Sequence, residues 1–180
     1  MISRQTHSTL TSRRWNGAPA TSSPRPEGLN PELLEYGTKQ GEIVECYITD
    51  DRGVRSNSIL KNSDFTIHMK VKFYEDIKAP IFAYTIKNVI GVEITGTNTM
   101  VEKAFLDSAK AGDVKEITFT QNMSLQGGEY LLSLGLTGYD GDVFEVYHRL
   151  YDVVNITVIS DKNTVGYFDM NARITVKDVQ

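Results

Sequence analysis

The sequence predicts an all-β protein, built as a sandwich of two antiparallel sheets or as a barrel, with about eight strands. From Glu42 onward, apolar residues alternate with polar ones instead of recurring at helical spacing. Clusters of Gly, Asn and Asp separate these short runs, as is typical of turns between strands. A doubly wound α/β fold is disfavoured, because parallel strands need intervening helices and only Val101–Lys110 has helical character.

Each strand is predicted from this alternation. The first, Glu42–Thr49, ends at a turn formed by residues 50–53, where Asp and Gly supply the required backbone geometry. The clearest is Asp64–Tyr74, which alternates so regularly that we expect one face to be buried and the other to face solvent. The remaining predicted strands are Ile81–Lys87, Val92–Thr97, Val114–Gln121, Glu129–Leu136, Leu150–Ile159 and Ala172–Lys177.

The 180 residues divide into two regions of opposite charge. The whole chain carries only −4, too little to indicate nucleic acid or an anionic membrane as its main partner. Residues 1–30 contain four arginines and one glutamate, a net +3, which leaves −7 for the remainder. Because Ala18–Gly28 is rich in Ser, Thr and Pro, we expect 1–30 to be a disordered linker or a cloning remnant. Residues 31–180 then form the domain.

The composition disfavours several kinds of chemistry. A single cysteine, Cys46, excludes an internal disulfide, and the three histidines show no metal-ligand spacing, so no metal or cofactor is expected. No Gly-Lys pair occurs, which excludes a phosphate-binding loop and therefore ATP hydrolysis by this chain. No apolar run is long enough for a membrane span or a signal peptide, so we expect a cytosolic domain.

One acidic cluster leaves an enzymatic alternative open. Asp140, Asp142 and Glu145 could supply the carboxylate pair of a polysaccharide hydrolase or lyase. Acids in a Gly-rich loop are more often solvated turn residues, however, and the loop lacks the EF-hand pattern for calcium. We therefore predict no catalytic residues.

The segment Tyr147–Asp152 is the densest group of polar and aromatic side chains. Extended alternation places Tyr147, Arg149 and Tyr151 on one side, and His148 with Asp152 on the other, where they are expected to hydrogen-bond each other. Aromatic rings beside charged hydrogen-bonding groups suit a sugar, whose C–H face packs on a ring while its hydroxyls need directed partners.

A second polar row belongs to the strand Asp64–Tyr74. His68, Lys70 and Lys72 lie on its outer face and are further candidates for ligand contact. The alternative interpretation is an ordinary solvated strand face. Another alternative covers the whole domain: the aromatic row could be the interface of an oligomerisation or adaptor sandwich that binds no glycan.

Several segments, in order, resemble one known family. They are YGTKQGEIVECYITD (Tyr36–Asp50), FTIHMKVKFYEDIKAPIFAYTIKNVIGVEITGTNT (Phe65–Thr99), GGEYLLSLGL (Gly127–Leu136) and HRLYDVVNITV (His148–Val158). Together they are similar to the C-terminal carbohydrate-binding domain of Wzt-type ATP-binding subunits of O-antigen polysaccharide ABC exporters. The resemblance covers about Tyr36 to Val176, with the loop Gly138–Tyr147 outside its constant features.

This resemblance implies an immunoglobulin-like β-sandwich that binds the finished, non-reducing end of a polysaccharide on the cytoplasmic face of the inner membrane. It also implies a homodimer with exchanged C-terminal strands. The sequence is compatible with this, since the turn Ser160–Asn163 and the segment Val165–Asn171 could act as a hinge, and an exchanged strand Arg173–Lys177 would cover an open sheet edge. The transmembrane and nucleotide-binding parts of the exporter would be further partners, and ATP hydrolysis would belong to an upstream domain.

Overall fold

The computed structural model describes residues 34–179, and in this range it contains eleven strands and no helix. The expected linker, residues 1–30, lies outside the described residues. The strands are β1 Leu34–Tyr36, β2 Gly41–Thr49, β3 Ser58–Leu60, β4 Asp64–Phe73, β5 Ile77–Lys78, β6 Ile81–Asn88, β7 Glu93–Asn98, β8 Ser108–Ala109, β9 Val114–Asn122, β10 Gly128–Asp140 and β11 Val143–Ile159.

Two sheets pack face to face as a β-sandwich. The six-stranded sheet has the order β1-β11-β10-β6-β7, with β3 also pairing with β11, and the three-stranded sheet has the order β2-β4-β9. The ladders are antiparallel except for β3 beside β11, and β5 with β8 forms a small two-stranded sheet. The strands β7 and β9 are therefore edge strands, one in each sheet.

The alternating pattern of the sequence builds the core between these sheets. On β4, residues Phe65, Ile67, Met69, Val71 and Phe73 are all buried, which confirms the predicted inner face. Facing them from β6 and β10 are Phe82, Tyr84, Ile86, Leu132, Leu134 and Leu136. The turn after β2 also forms as predicted, with Gly53 at φ 76° and the Asp50 carboxylate accepting the amides of Arg52 and Val54.

The predicted helix Val101–Lys110 is wrong. Its first residues form turns in which the Asn98 carboxamide oxygen accepts the Val101 amide, and Lys103 adopts a φ of 57° that ends helical geometry. Further on, Ser108–Ala109 is drawn into pairing with β5. Local helix propensity is weak, and here pairing with a neighbouring strand overrides it.

The C-terminal segment also differs from the prediction. Ala172–Lys177 forms no strand within the described chain, and its residues are exposed. Its sequence keeps the alternation of a strand, with Ile174 and Val176 at 86% and 90% exposure. Its apolar face is therefore left uncovered by the described residues of this chain.

Candidate functional site

The structure separates the two groups of predicted site residues. His68, Lys70 and Lys72 project from the outer face of the three-stranded sheet, because the inner face of β4 is the core. Arg149 and Tyr151 project from the outer face of the six-stranded sheet, whose inner face carries His148 and Leu150. The two groups thus lie on opposite outer faces, and one glycan site cannot contain both.

Tyr147 does not share the face of Arg149 and Tyr151. It is only 5% exposed, belongs to the hydrophobic core, and its ring packs where a Cβ on Gly138 would otherwise lie. The reason is a β-bulge: Leu136 pairs with His148 while Thr137 pairs with Val146, so Tyr147 is an extra residue in β11. The prediction that Tyr147 faces the same side of β11 as Arg149 and Tyr151 is therefore wrong.

Small side chains form the floor of a groove across the outer face of the six-stranded sheet. Ala83 on β6 and Gly135 on β10 lie in one row with Arg149 on β11, and Thr85 lies in the next row beside Gly96 on β7. A Cβ added to Gly135 would reach 3.5 Å from Nε of Arg149 and 3.9 Å from Cβ of Ala83. Ala83, Thr85, Gly96 and Arg149 line a cavity of about 440 Å³ over β6 and β7. Gly135 lines a smaller pocket of about 50 Å³ that shares Ala83, Thr85 and Arg149 with this cavity.

Arg149 is the cation that this groove leaves without a carboxylate partner. It is half-buried, and none of the ion pairs in residues 34–179 includes it. Its guanidinium carbon lies 5.8 Å from the centre of the Tyr151 ring. Burial opposes its charge, but the neighbouring Tyr36 and Tyr151 hydroxyls raise the pKa of Arg149, so the guanidinium stays charged.

A second bulge positions Tyr151 at the wall of the groove. Leu132 pairs with Val154 and Leu134 with Leu150, so β11 carries two extra residues, and Asp152 adopts a φ of 54°. The Ser133 hydroxyl accepts the Asp152 amide at 3.0 Å, and Lys87 Nζ lies 2.6 Å from the Asp152 carboxylate. Asp152 therefore bonds to Ser133 and Lys87, and the predicted His148–Asp152 pair is wrong.

The strand β1 adds another aromatic ring to this wall. Tyr36 stacks on Tyr151 with ring centres 5.9 Å apart, and the pKa of Tyr36 is lowered, mainly because its hydroxyl lies beside that of Tyr151 and also because Arg149 is near. The residue that follows Tyr36 must be a glycine, because Gly37 has a φ of 139° and a Cβ at this position would lie 2.3 Å from the Tyr147 carbonyl oxygen.

His148, on the inner face of β11, connects this strand to β1 and β2. Its Nδ1 accepts the Ile43 amide at 2.8 Å, so the ring's own proton belongs on Nε2, which lies 3.3 Å from a Glu35 carboxylate oxygen. Burial, followed by the Lys39 ammonium, lowers the pKa of His148 to about 4. Glu35, Glu42 and His148 are close enough to resemble a metal site, but the Lys39 ammonium bonds to both carboxylates and supplies the cation there.

On the opposite outer face, the polar side chains bind one another. Glu45 accepts Lys70 and Arg55, each at 2.7 Å. The His68 ring stacks on Tyr47 at 4.3 Å between ring centres, and the Arg55 guanidinium covers the other side of Tyr47 at 3.7 Å. His68 also contacts Glu116. Most of the charged groups that the sequence placed here are thus already paired.

Sequence reasoning missed the residues that shape the groove. Lys87, Thr85 and Ser133 sit in strands that alternation had identified, but only the register of β6, β10 and β11 brings them beside Arg149. The available signals were the glycines in the GTNT and SLGL segments, Gly96 and Gly135.

The acids Asp140 and Asp142 lie exposed at the tip of the β10–β11 hairpin.

A larger groove lies between the edge strands β7 and β9. Its volume is about 880 Å³, and the apolar part of its lining comes from Phe82, Tyr84, Val101, Leu106, Ile117 and Phe119. The carboxamide oxygen of Gln121 accepts the Tyr84 hydroxyl at 2.8 Å, while the buried Nε2 of Gln121 has no partner in residues 34–179. The inward side chains of β9 are therefore only partly covered.

Among residues 34–179, no helix is long and apolar enough to cross a membrane.

The comparisons with known proteins agree with this architecture. A search of curated proteins gave no significant match. A crystal structure of the C-terminal domain of Wzt superposes with a TM-score of 0.76 at 26% sequence identity, covering 83% of this chain and 92% of that one.

Two further structural matches are more distant. The CARDB domain of a Pyrococcus furiosus protein in complex with di-metal ions gives a TM-score of 0.38 at 11% identity, covering 70% of this chain and all of that one. A β-glucosidase from Listeria innocua in complex with gluconolactone gives 0.35 at 14% identity, over 63% of this chain and 16% of that one. Both TM-scores are too low to support any inference.

The family model for the Wzt C-terminal domain matches residues 33–170, which include every strand from β1 to β11. Together with the superposition over most of both chains, this shows that the chain belongs to the Wzt C-terminal domain family.

Proposed function

We propose that this domain is a non-catalytic carbohydrate-binding domain. It recognises the terminal, non-reducing-end residue of an O-antigen polysaccharide and admits that chain to its ABC exporter. The observation that carries the proposal is Arg149: it is half-buried, lacks a carboxylate partner among the described residues, and lies between tyrosine rings and a floor of small residues. ATP hydrolysis would reside in an upstream domain, on the cytoplasmic face of the inner membrane.

The side chains of the groove suit the two chemical surfaces of a sugar. Tyr151, with Tyr36 stacked beside it, offers aromatic surface for C–H packing, while Thr85 and Lys87 offer hydrogen-bonding groups within the same depression as Tyr151. An arginine guanidinium can hold a carboxylate or phosphate through two parallel hydrogen bonds, so we propose that Arg149 binds a terminal residue that carries an acidic group. Glu93, on the far side of the groove, would accept sugar hydroxyls.

A shallow site for one terminal residue binds weakly. Millimolar to micromolar dissociation constants correspond to about −4 to −8 kcal/mol. Presentation of two sites on a dimer, or tethering to the exporter, raises the effective affinity without any new contact. The proposed partners are therefore a second copy of the chain and the transmembrane and nucleotide-binding parts of the exporter.

The test is a calorimetric titration of the purified domain with O-polysaccharide from the strain that encodes it. We expect Arg149→Ala to weaken binding by about 10- to 150-fold, since a lost hydrogen bond to a charged group costs about 1.5–3 kcal/mol. The matched control is Lys70→Ala on the opposite face, whose partner is Glu45, and we expect it to leave the affinity unchanged. Unchanged binding with Arg149→Ala would exclude the proposed site.

We further propose that the dimer forms by exchange of C-terminal strands, with Arg173–Lys177 entering the groove between β7 and β9 of the partner. Ile174 and Val176 would cover Ile117 and Phe119, and a backbone carbonyl of the added strand would accept the Gln121 amide. Pairing with β9 would also remove an exposed sheet edge. A chain ended at Asn171 should be monomeric in analytical ultracentrifugation, and a truncated chain that still dimerises would contradict the exchange.

A further inference from the structure

The segment between β11 and the C-terminal tail is fixed to the domain although it contains no strand of its own. The amide of Gln126 donates to the Tyr167 carbonyl and that of Asp169 to the Ser124 carbonyl, each at 3.0 Å, so residues 167–169 run beside the β9–β10 connection. Phe168 forms an isolated bridge with Leu125 in the same place. This segment is bound to residues that link the two sheets.

A buried ion pair lies at the centre of this attachment. Lys61 Nζ and Asp169 Oδ2 are 2.9 Å apart, and each side chain is only 3% exposed. The Lys61 ammonium also donates to Gln126 Oε1 at 2.8 Å and to the Lys162 carbonyl at 2.7 Å, and the Lys162 ammonium lies 3.1 Å from the same Asp169 oxygen. The other oxygen of Asp169 accepts the Asn171 amide at 2.9 Å.

The attachment ends abruptly at Asn171. This residue has a φ of 51°, and its carboxamide donates to Asn62 Oδ1 at 3.4 Å. Every described residue after it is exposed, including Ile174, Val176 and Val179. The groove of the same chain between β7 and β9 contains no residue of this tail, although Phe168 lies beside a cavity that shares Tyr84, Thr95 and Gln121 with that groove.

From this geometry we infer that the Lys61–Asp169 ion pair is a latch that directs the tail away from its own chain and toward a second copy. This inference rests on the proposed strand exchange. With the latch closed, residues 160–171 are held against the domain and the tail leaves it at Asn171. To enter its own groove, the tail would have to turn back at a residue whose amide and carboxamide are already bound.

The latch also explains why a charged pair lies at this position. A buried ion pair is a costly anchor compared with apolar packing. Here the directional hydrogen bonds from Lys61 to Gln126 and Lys162, and from the Asn171 amide to Asp169, hold the pair in one geometry. Lys61 directly follows β3, and its amide donates to the Ile159 carbonyl at 2.9 Å. The anchor is therefore rigidly connected to the end of β11, from which the tail segment starts.

The test is sedimentation equilibrium on the full chain, with Asp169→Asn and Lys61→Met as separate variants. Both should raise the dimer dissociation constant at least tenfold, because the released segment lets the tail fold back or fray. The matched control is Asp76→Asn, which removes the charge of the exposed Lys110–Asp76 pair at 2.8 Å and should leave dimerisation unchanged. Circular dichroism of the same variants ended at Asn171 checks that the sandwich itself remains folded.

These measurements distinguish the proposal of strand exchange from the proposal of the latch. If wild-type chain is monomeric, or stays dimeric after truncation at Asn171, strand exchange is wrong. If truncation abolishes the dimer but Asp169→Asn and Lys61→Met, both folded, dimerise as tightly as wild type, exchange stands and the latch is wrong. Loss of the dimer in both folded variants, with Asp76→Asn unaffected, supports the latch.

Discussion

The two outer faces of the sandwich carry similar side chains but use them differently. On the three-stranded sheet, Glu45 bonds to both Lys70 and Arg55, and Tyr47 is enclosed between His68 and Arg55. On the six-stranded sheet, Arg149 lies beside tyrosines without a carboxylate partner among the described residues, and small residues leave a groove next to it. Polar composition alone does not distinguish these faces.

The difference shows what a ligand requires from a polar surface. A ligand that binds on the three-stranded sheet must first break ion pairs that are already formed, which offsets what its own contacts contribute. A ligand at Arg149 supplies a partner to a group that burial has partly desolvated. We therefore expect the ligand to bind on the face that carries Arg149 and not on the face where Glu45 pairs with Lys70 and Arg55.

The largest expected effect is an acid sensitivity of the six-stranded sheet that originates at His148. This ring faces Lys39, Glu35 and Glu42 and has a pKa of about 4, below the ordinary value of 6.5. Between these two pH values the unfolded chain binds the proton and the folded chain does not, so stability falls as pH falls from 6.5 to 4. The pKa difference corresponds to about 3 kcal/mol.

Urea unfolding at a series of pH values measures this effect. Carboxylates also lose stabilising interactions in acid, so the informative quantity is the difference between wild type and His148→Gln. The variant should be less stable at pH 7 but lose less stability between pH 6.5 and 4. Parallel curves for the two proteins would show that His148 is not the titrating group.

The next effect concerns the groove floor. Gly135→Val should fill the space beside Arg149 Nε and Ala83 Cβ, which a Cβ would already approach to 3.5 and 3.9 Å. We expect affinity for the polysaccharide to fall about thirtyfold, or about 2 kcal/mol, while the melting temperature stays near that of wild type. Thr66→Val on the other outer face is the control and should bind normally. If Gly135→Val binds the polysaccharide as tightly as Thr66→Val does, the floor of the groove is not a contact surface.

The smallest effect is expected on the paired face. Glu45→Gln removes the charge that Lys70 and Arg55 share, yet these groups are exposed enough that solvent screens their ion pairs. Glycan affinity should be unchanged and the melting temperature little altered in differential scanning fluorimetry. A marked loss of affinity would mean that the three-stranded sheet takes part in binding and that the two faces do not differ in this respect.

Much of the fold could be predicted from the sequence because its strands alternate so regularly. The inner face of β4, the turn after β2 and the sandwich class depend on local patterns that tertiary structure did not alter. The helix at Val101–Lys110 could not be excluded in this way, because pairing of Ser108–Ala109 with β5 is a non-local contact. The exposed Ala172–Lys177 likewise keeps its strand pattern without a partner edge in the chain.

The candidate site was harder to predict than the fold. Alternation placed Arg149 and Tyr151 correctly on one face, but the bulges at Tyr147 and Asp152 changed the orientation of their neighbours. A bulge inserts residues without any clear local signal, and an inserted residue shifts the inward and outward facing of the residues beyond it in the strand. Gly135 and Ala83 became part of the site only through the register of three strands.

Binding of the glycan to the outer face of the six-stranded sheet is tested most directly by NMR on the ¹⁵N-labelled domain. The probe is a short non-reducing-end fragment of O-polysaccharide from the encoding strain, added in steps. We expect the amides of Gly96, Gly135 and Arg149 to shift, with those of His68, Lys70 and Lys72 unmoved. Shifts confined to His68, Lys70 and Lys72 would place the glycan on the three-stranded sheet and contradict the proposed site.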